Sequence, residues 1–150
     1  VTLDPETMNP HLIVSRDCTN VCLGTGYQIL PDTPKRFTHS LCVLGSQGFM
    51  SGRHYWEVDV GEKGCWVVGV ALESVPRKEP VSLPRSEKVW ALRLQRDDLY
   101  STMCMTPEVL ELREKLQRIR VHMDYEVGRV TFYNAEDMRV IQQLEATFTE

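Results

Sequence analysis

A thiol and a histidine in the middle of the chain have the types needed for nucleophilic catalysis. His54 and Cys65 lie on the two strands of a predicted hairpin that turns at Gly61–Gly64, so a base could lie near a nucleophile. Neither residue lies at a predicted helix N-terminus or in a polar setting that would favour a thiolate, and Cys65 alternates within a strand. Packing explains Cys65 better, so we predict no catalytic residue and keep a thiol hydrolase only as a distant alternative.

Metal binding and acid–base chemistry have weaker support in the sequence. Cys18 and Cys22 are separated by three residues, with His11 upstream, but no second pair follows. Structural zinc sites use four ligands in closely spaced pairs. Glu57 and Asp59 share one face of a predicted strand, where solvated surface is the better interpretation. The sequence therefore predicts no metal site and no cofactor.

Polar side chains on two predicted strands give the strongest signal of a binding site. They alternate with apolar residues, and they are Arg93, Gln95, Arg118, Arg120 and His122. If the two strands are neighbours, these side chains form a cationic patch for an acidic peptide, an acidic protein surface or a phosphate, because guanidinium groups bind carboxylates in a fork geometry. The alternative, slightly favoured, is a solvated sheet surface with salt bridges to Glu57 or Asp59.

Composition limits the class of protein that carries these side chains. The chain has 150 residues, which suit one domain, and a net charge of −4 that gives no global attraction to nucleic acid. No apolar run approaches the roughly 20 residues of a membrane span, so we predict no membrane insertion by this chain. Five cysteines are an odd number, which favours free thiols and a cytoplasmic location over a disulfide framework.

The elements that must position these side chains are short strands with a period of two, typical of a half-buried antiparallel sheet. Three hairpins are predicted: Arg53–Val60 with Cys65–Ala71, Val89–Gln95 with Leu99–Met103, and Leu116–Asp124 with Arg129–Tyr133. Further strands are predicted at 11–17, 20–25, 41–44 and 142–148. The pattern indicates an all-β fold, an antiparallel β-sandwich whose core holds Trp56, Trp66, Trp90 and Phe132.

Two segments have helical features. Asp4, Pro5 and Glu6 suit a helix cap and first turn, so a short N-terminal helix is predicted, ending before Asn9-Pro10. The segment 107–117 has good helix formers and is an alternative amphipathic helix within the all-β pattern. Residues 73–88 carry three prolines without periodicity and form a predicted loop long enough to suggest function.

Several motifs, in order, resemble the PRY–SPRY domain of tripartite-motif ubiquitin ligases and butyrophilins. They are LDPET at 3–7, LGSQGF at 44–49, SGRHYWEVDVG at 51–61, WVVGVALESVPRK at 66–78, and DYE, Gly128 and FYN between 124 and 134. The resemblance implies a sandwich of two curved antiparallel sheets in a single domain, with a PRY part at about 1–45 and a SPRY part at about 46–150. The family usually continues past Glu150, so we expect this chain to lack the usual C-terminal strands.

The resemblance implies a non-catalytic module that binds a protein through loops and one sheet face. In a tripartite-motif ligase this domain would recognise the substrate or partner, and an upstream coiled coil would dimerise the full-length protein. A butyrophilin-type domain that binds a small acidic or phosphorylated ligand is the alternative, but Val67, Ser82 and Ser101 occupy the positions matched to its basic pocket. The predicted partner-binding residues are Tyr27, His39, Arg77, Lys78, Leu83, Arg85, Arg93, Gln95, Tyr100, Arg120 and His122.

Overall fold

The computed structural model describes residues 1–61, 64–80, 87–112 and 114–150, and these divide into two compact units. The first unit contains residues 1–48 and 75–80, and the second contains residues 49–74 and 87–150. Apart from one short 3-10 turn, the regular structure of the described residues consists of antiparallel strands. The predicted all-β class is therefore confirmed.

The first unit is built around a two-stranded antiparallel sheet and a buried arginine. Strand β1 (Leu12–Val14) pairs with β2 (Val21–Leu23), within the two segments predicted as strands. Arg36 is buried and donates hydrogen bonds to the backbone carbonyls of Pro31 and Met8, both at 2.8 Å, and of Pro5 at 3.1 Å. One side chain thus satisfies three loop carbonyls, which ties the irregular segments together.

The predicted N-terminal helix is wrong, because this segment forms turns. The Asp4 carboxylate accepts a hydrogen bond from the Glu6 N–H at 3.0 Å, and the Asp4 carbonyl accepts bonds from both the N–H and the hydroxyl of Thr7. Asn9 is buried and accepts a hydrogen bond from the His11 N–H. Such local bonds from short polar side chains compete with helical hydrogen bonding, and here they take its place.

The predicted strand at 41–44 is also absent. Regular pairing near it is limited to one isolated antiparallel bridge between Leu3 and Gly45. The apolar run instead makes irregular hydrogen bonds, including one from the Leu44 N–H to the Thr7 hydroxyl at 2.9 Å. The apolar run in this segment therefore belongs to a loop rather than to a sheet.

The second unit is a sandwich of two four-stranded antiparallel sheets. Its strands are β3 (Arg53–Asp59), β4 (Trp66–Ala71), β5 (Val89–Gln95), β6 (Leu99–Met103), β7 (Val109–Leu110), β8 (Arg118–Asp124), β9 (Arg129–Asn134) and β10 (Arg139–Glu145). The sheet that we call the β3 sheet has the order β10-β9-β8-β3. The sheet that we call the β5 sheet has the order β4-β5-β6-β7.

The inner faces of both sheets form one apolar core. Leu92 of β5 and Ile119, Val121 and Phe132 of the β3 sheet have no exposed surface. Trp90 is buried as well, so two of the four predicted core aromatics are confirmed. Trp56 and Trp66 are only partly buried, because they lie on β3 and β4, the edge strands of their sheets. Burial alternates along β3 and β8, so the sequence pattern identifies the core faces of these two strands correctly.

Two of the three predicted hairpins are confirmed. Strands β5 and β6 pair across a single 3-10 turn, Arg96–Asp98, in which Asp98 has a φ of 54°. Strands β8 and β9 pair directly, and Gly128 in their turn has a φ of 76°. The last strand, β10, runs from Arg139 to Glu145 and so begins and ends three residues before the predicted segment 142–148.

The predicted hairpin between β3 and β4 is wrong, although both strands exist. Strand β3 pairs with β8, and β4 pairs with β5, so the connection through Gly61 crosses from one sheet to the other. Alternation specifies which side of a strand faces the core, but it does not specify the neighbouring strand. The alternative helix at 107–117 is also absent: its described residues contain only β7, which pairs with β6.

Candidate functional site

The predicted polar patch is divided between two opposite faces of the sandwich. Arg93 and Gln95 lie on β5, whereas Arg120 and His122 lie on β8, and these strands belong to different sheets. Their apolar neighbours in sequence point into the shared core, so the polar side chains point outward on opposite sides. The condition under which one cationic patch would form, that the two strands are neighbours, is therefore not met.

On the β3 sheet, the arginines are held by carboxylates of the neighbouring strand. Arg120 Nε donates to Glu57 Oε2 at 2.8 Å, and its guanidinium lies 4.7 Å from the centre of the Tyr55 ring. Arg118 lies 4.0 Å from a carboxylate oxygen of Asp59. This is the arrangement of the alternative hypothesis, in which Glu57 and Asp59 neutralise the arginines. The outer face of the β3 sheet is therefore close to charge balance.

The same ladder of ion pairs continues to the end of β3. Arg53 Nε lies 3.0 Å from Asp124 Oδ2, across the strand pair. The hydrogen bond from the Val127 backbone N–H is the main cause that lowers the pKa of the Asp124 carboxyl below its usual value; desolvation opposes it, and Arg53 lowers the pKa further. Asp124 also caps the β8–β9 turn through that N–H at 3.1 Å. The residue is thus part of the turn's structure rather than a free acid.

On the β5 sheet, Arg93 has a different environment. It is half-buried, and no hydrogen bond or ion pair engages it within the described part of the chain. Its cross-strand neighbours are Val67 on β4 and Ser101 on β6, and Ser101 is opposite Val109 on β7. Val67 is 46% exposed and Val109 is 67% exposed. We call this line of four residues, Val67, Arg93, Ser101 and Val109, the Arg93 row.

The Arg93 row combines exposed apolar side chains with a guanidinium that has no partner among the described residues. Gln95 and Leu99 form the next cross-strand pair and extend it, and Leu99 is 41% exposed. Arginine beside apolar contact area is typical of residues that contribute strongly to protein interfaces. Arg93 and Gln95 are among the binding residues predicted from the sequence, whereas Leu99 and Val109 are not. The exposed valine lies in the segment with the competing helical pattern, which concealed its position next to β6.

One predicted binding residue is a core residue. Tyr100 is only 3% exposed, its ring meets Trp66 edge-on, and its hydroxyl accepts a hydrogen bond from the Leu116 N–H at 3.0 Å. A polar tip with a partner on a buried ring is the usual state of a core tyrosine. We therefore remove Tyr100 from the candidate set.

The other predicted residues belong to the first unit or lie outside the described residues. Tyr27 and His39 are exposed, and Tyr27 meets His11 edge-on at 5.4 Å between ring centres. Arg77 covers the Phe37 ring at 5.2 Å, and Lys78 forms an ion pair with Asp32. The loop residues Leu83 and Arg85, and Ser82 of the matched pocket positions, lie outside the described residues.

The catalytic and metal hypotheses gain no support from the geometry. The hairpin that would bring His54 near Cys65 is absent, and the His54 ring stacks on Phe49 at 3.8 Å while its Nε2 lies 2.8 Å from the Ser51 carbonyl. All five cysteines are unpaired. Over the described ranges, no three histidine, cysteine or acidic side chains are grouped as metal ligands. Nor do these ranges contain a helix long and apolar enough to cross a membrane.

Many protein families share the all-β sandwich architecture of the second unit. Comparison with known families identifies which one. Residues 1–49 match the SPRY-associated domain, PRY, and residues 53–150 match the SPRY domain. The chain therefore belongs to the PRY–SPRY family.

The relatives that match this chain are longer proteins than the chain itself. Nuclear factor 7, brain, of Xenopus laevis is 45% identical over 99% of this chain, which spans 24% of that protein. The E3 ubiquitin-protein ligase TRIM69 of Mus musculus is 41% identical over the whole chain, which spans 30% of that protein. The chain thus corresponds to about a quarter to a third of the length of these relatives.

Solved structures share the fold. The stonustoxin structure superimposes with a TM-score of 0.84 at 26% identity, over 99% of this chain and 25% of the toxin chain. The crystal structure of the TRIM65 PSpry domain gives a TM-score of 0.83 at 24% identity, over 99% of this chain and 80% of that one. These similarities establish the PRY–SPRY fold of the chain.

Proposed function

We propose that this chain is the partner-binding domain of a tripartite-motif ubiquitin ligase, and that it binds a protein through the Arg93 row. The observation that carries the proposal is Arg93 itself: a half-buried arginine between strands whose neighbouring side chains include exposed valines, with no ion pair in the described residues. A partner carboxylate would complete its hydrogen bonding, and apolar partner atoms would cover Val67 and Val109.

The parent protein and the roles of its other domains are proposed from the similarity of this chain to its relatives. Similarity to TRIM69 supports a ligase parent over a butyrophilin parent. Ubiquitin transfer would then be performed by domains outside this chain, and dimerisation by an upstream coiled coil. The odd number of unpaired cysteines supports a cytoplasmic location. The partner would contribute an acidic peptide or protein surface, whose carboxylates would pair with the Arg93 guanidinium.

Affinity purification with variant domains tests the proposal. Wild-type chain, Arg93→Glu and Arg118→Glu would be used as baits in parallel, with co-purified proteins quantified by mass spectrometry. Both variants change one arginine to glutamate, but Arg118 lies on the opposite sheet beside Asp59. We expect at least one abundant partner to be lost with Arg93→Glu and kept with Arg118→Glu. Partner sets that are the same for all three baits would refute the assignment.

A further inference from the structure

A cleft opens in the second unit between one edge of the β3 sheet and the loop that follows β6. Its volume is about 450 Å³, which is enough for one or two side chains of a bound segment. Trp90, Cys104 and Leu144 contribute apolar atoms to its lining. At one end the Gln142 side-chain amide donates to Glu108 Oε2 at 3.0 Å, which joins the two walls. This cleft is separate from the Arg93 row.

The wall formed by β10 exposes a strand edge. Four consecutive residues of this strand, Gln142, Gln143, Leu144 and Glu145, line the cleft. Successive side chains of a strand point to opposite faces, so all four can line one cavity only if the cavity runs along the strand's edge. In the described sheet, β10 pairs with β9 alone, which leaves that edge without a neighbouring strand. Such an edge is a template for another extended segment.

The charge of the cleft specifies what kind of segment fits. Three carboxylates line it, those of Glu87, Glu108 and Glu145, and none of its lining residues is a lysine or an arginine. The Glu145 carboxylate forms an ion pair with Arg129 at 3.5 Å, and the Glu108 carboxylate accepts a hydrogen bond from a neutral amide. Two of the three negative charges therefore have no cationic partner in the described residues, while the floor beneath them is apolar.

We propose that this cleft binds an extended basic segment of a partner protein, which adds a strand to the open edge of β10. An apolar side chain of the segment can enter the cleft above Trp90 and Leu144, while the long side chains of neighbouring lysines or arginines can extend around its rim to Glu87 and Glu108, which are exposed. Main-chain hydrogen bonds to β10 supply affinity, and the carboxylates select a basic segment over an acidic one. The site thus has the opposite charge preference to the Arg93 row.

The test uses the 150-residue chain and a fluorescein-labelled heptapeptide of alternating lysine and valine as the probe. Fluorescence anisotropy gives its dissociation constant for the wild type, for the double variant Glu87→Lys/Glu108→Lys, and for the control Glu79→Lys/Glu136→Lys, which makes the same charge change at exposed positions outside the cleft. Thermal melts establish that each variant is folded. A second probe carries N-methyl groups on alternate amides, which removes the donors of one strand edge.

We expect the probe to bind the wild type and the control, and to bind the cleft variant about tenfold or more weakly. We expect the N-methylated probe to bind poorly, and amide chemical-shift changes to concentrate at 142–147 and 104–108. Equal binding to the cleft variant, equal binding of the N-methylated probe, or no binding by the wild type would overturn the proposal. A stable dimer in sedimentation velocity, with the same shift changes at the β10 edge, would also overturn it by identifying a second copy as the occupant.

Discussion

Charge reversal at Arg120 should destabilise the fold, whereas charge reversal at Arg93 should leave its stability nearly unchanged, although the two substitutions are chemically identical. Arg120 is engaged: its Nε lies 2.8 Å from Glu57 Oε2, and its guanidinium lies 4.7 Å from the Tyr55 ring. The two charged side chains of the pair are each about one-third exposed. Arg93 has no such contacts in the described residues, so its replacement should leave stability within about 0.5 kcal/mol of the wild type.

Three effects add up at Arg120→Glu. The partly exposed ion pair is worth about 0.5–1 kcal/mol, and the contact with the Tyr55 ring is worth a similar amount. The new glutamate also lies directly across the strand pair from Glu57, and like charges in that position are destabilising. We expect a total loss of about 2 kcal/mol, which corresponds to a fall in melting temperature of about 4–8 °C for a chain of this length.

Urea unfolding followed by tryptophan fluorescence measures these differences, with the swapped variant Glu57→Arg/Arg120→Glu as the control. The swap restores an opposite-charge pair across β3 and β8, so it should recover about half of the loss. In about 1 M salt, where charges are screened beyond about 3 Å, the loss caused by Arg120→Glu should shrink. An Arg120→Glu variant as stable as the wild type, or an Arg93→Glu variant destabilised as much as Arg120→Glu, would refute this account. It would show that the contacts of Arg120, which Arg93 lacks within the described residues, do not determine the difference.

Three further outcomes concern the fold. Phe132→Ala should cost about 3–5 kcal/mol in urea unfolding, since the ring has no exposed surface; a loss below about 1 kcal/mol would contradict the assigned core. Gly128→Ala should also destabilise, because Gly128 has a positive φ and a Cβ there would lie 2.3 Å from the Ala146 carbonyl oxygen; a stable variant would exclude this packing. The pKa of Asp124 is lowered in the folded state, so its contribution to stability is present above the unfolded pKa of about 4 and is lost as pH falls through the folded value. Asp124→Asn should therefore flatten the acid side of the stability–pH curve, and an unchanged curve would contradict the assignment.

Sequence alone predicts the hairpins whose strands are adjacent in both sequence and space. Strands β5 and β6, like β8 and β9, are joined by short turns with a polar residue or Gly128 at a positive φ. The β3–β4 connection has the same local pattern, but its strands join different sheets. That choice depends on which distant strand, β8 or β5, offers the better partner, and no local signal records it.

The candidate site was predictable only in part, for the same reason. Arg93 and Arg120 are equivalent in the sequence, because each alternates with buried apolar residues on a strand. Their difference arises from the strand alongside: β3 brings Glu57 to Arg120, whereas β4 and β6 bring Val67 and Ser101 to Arg93. The N-terminal turns failed as a prediction because Asp4 is equally suited to begin a helix or to close a turn.

The most direct test of the account is the affinity of a co-purified partner for the isolated domain, measured by titration calorimetry with three forms of the chain. If the Arg93 row binds the partner, Arg93→Glu should weaken binding by about tenfold to a hundredfold, because a charge-assisted hydrogen bond is lost and a repulsion is created at the same place. Arg118→Glu, on the opposite sheet, should leave the dissociation constant unchanged within about twofold. An affinity that survives Arg93→Glu but falls with Arg118→Glu would place the binding surface on the β3 sheet and contradict the account.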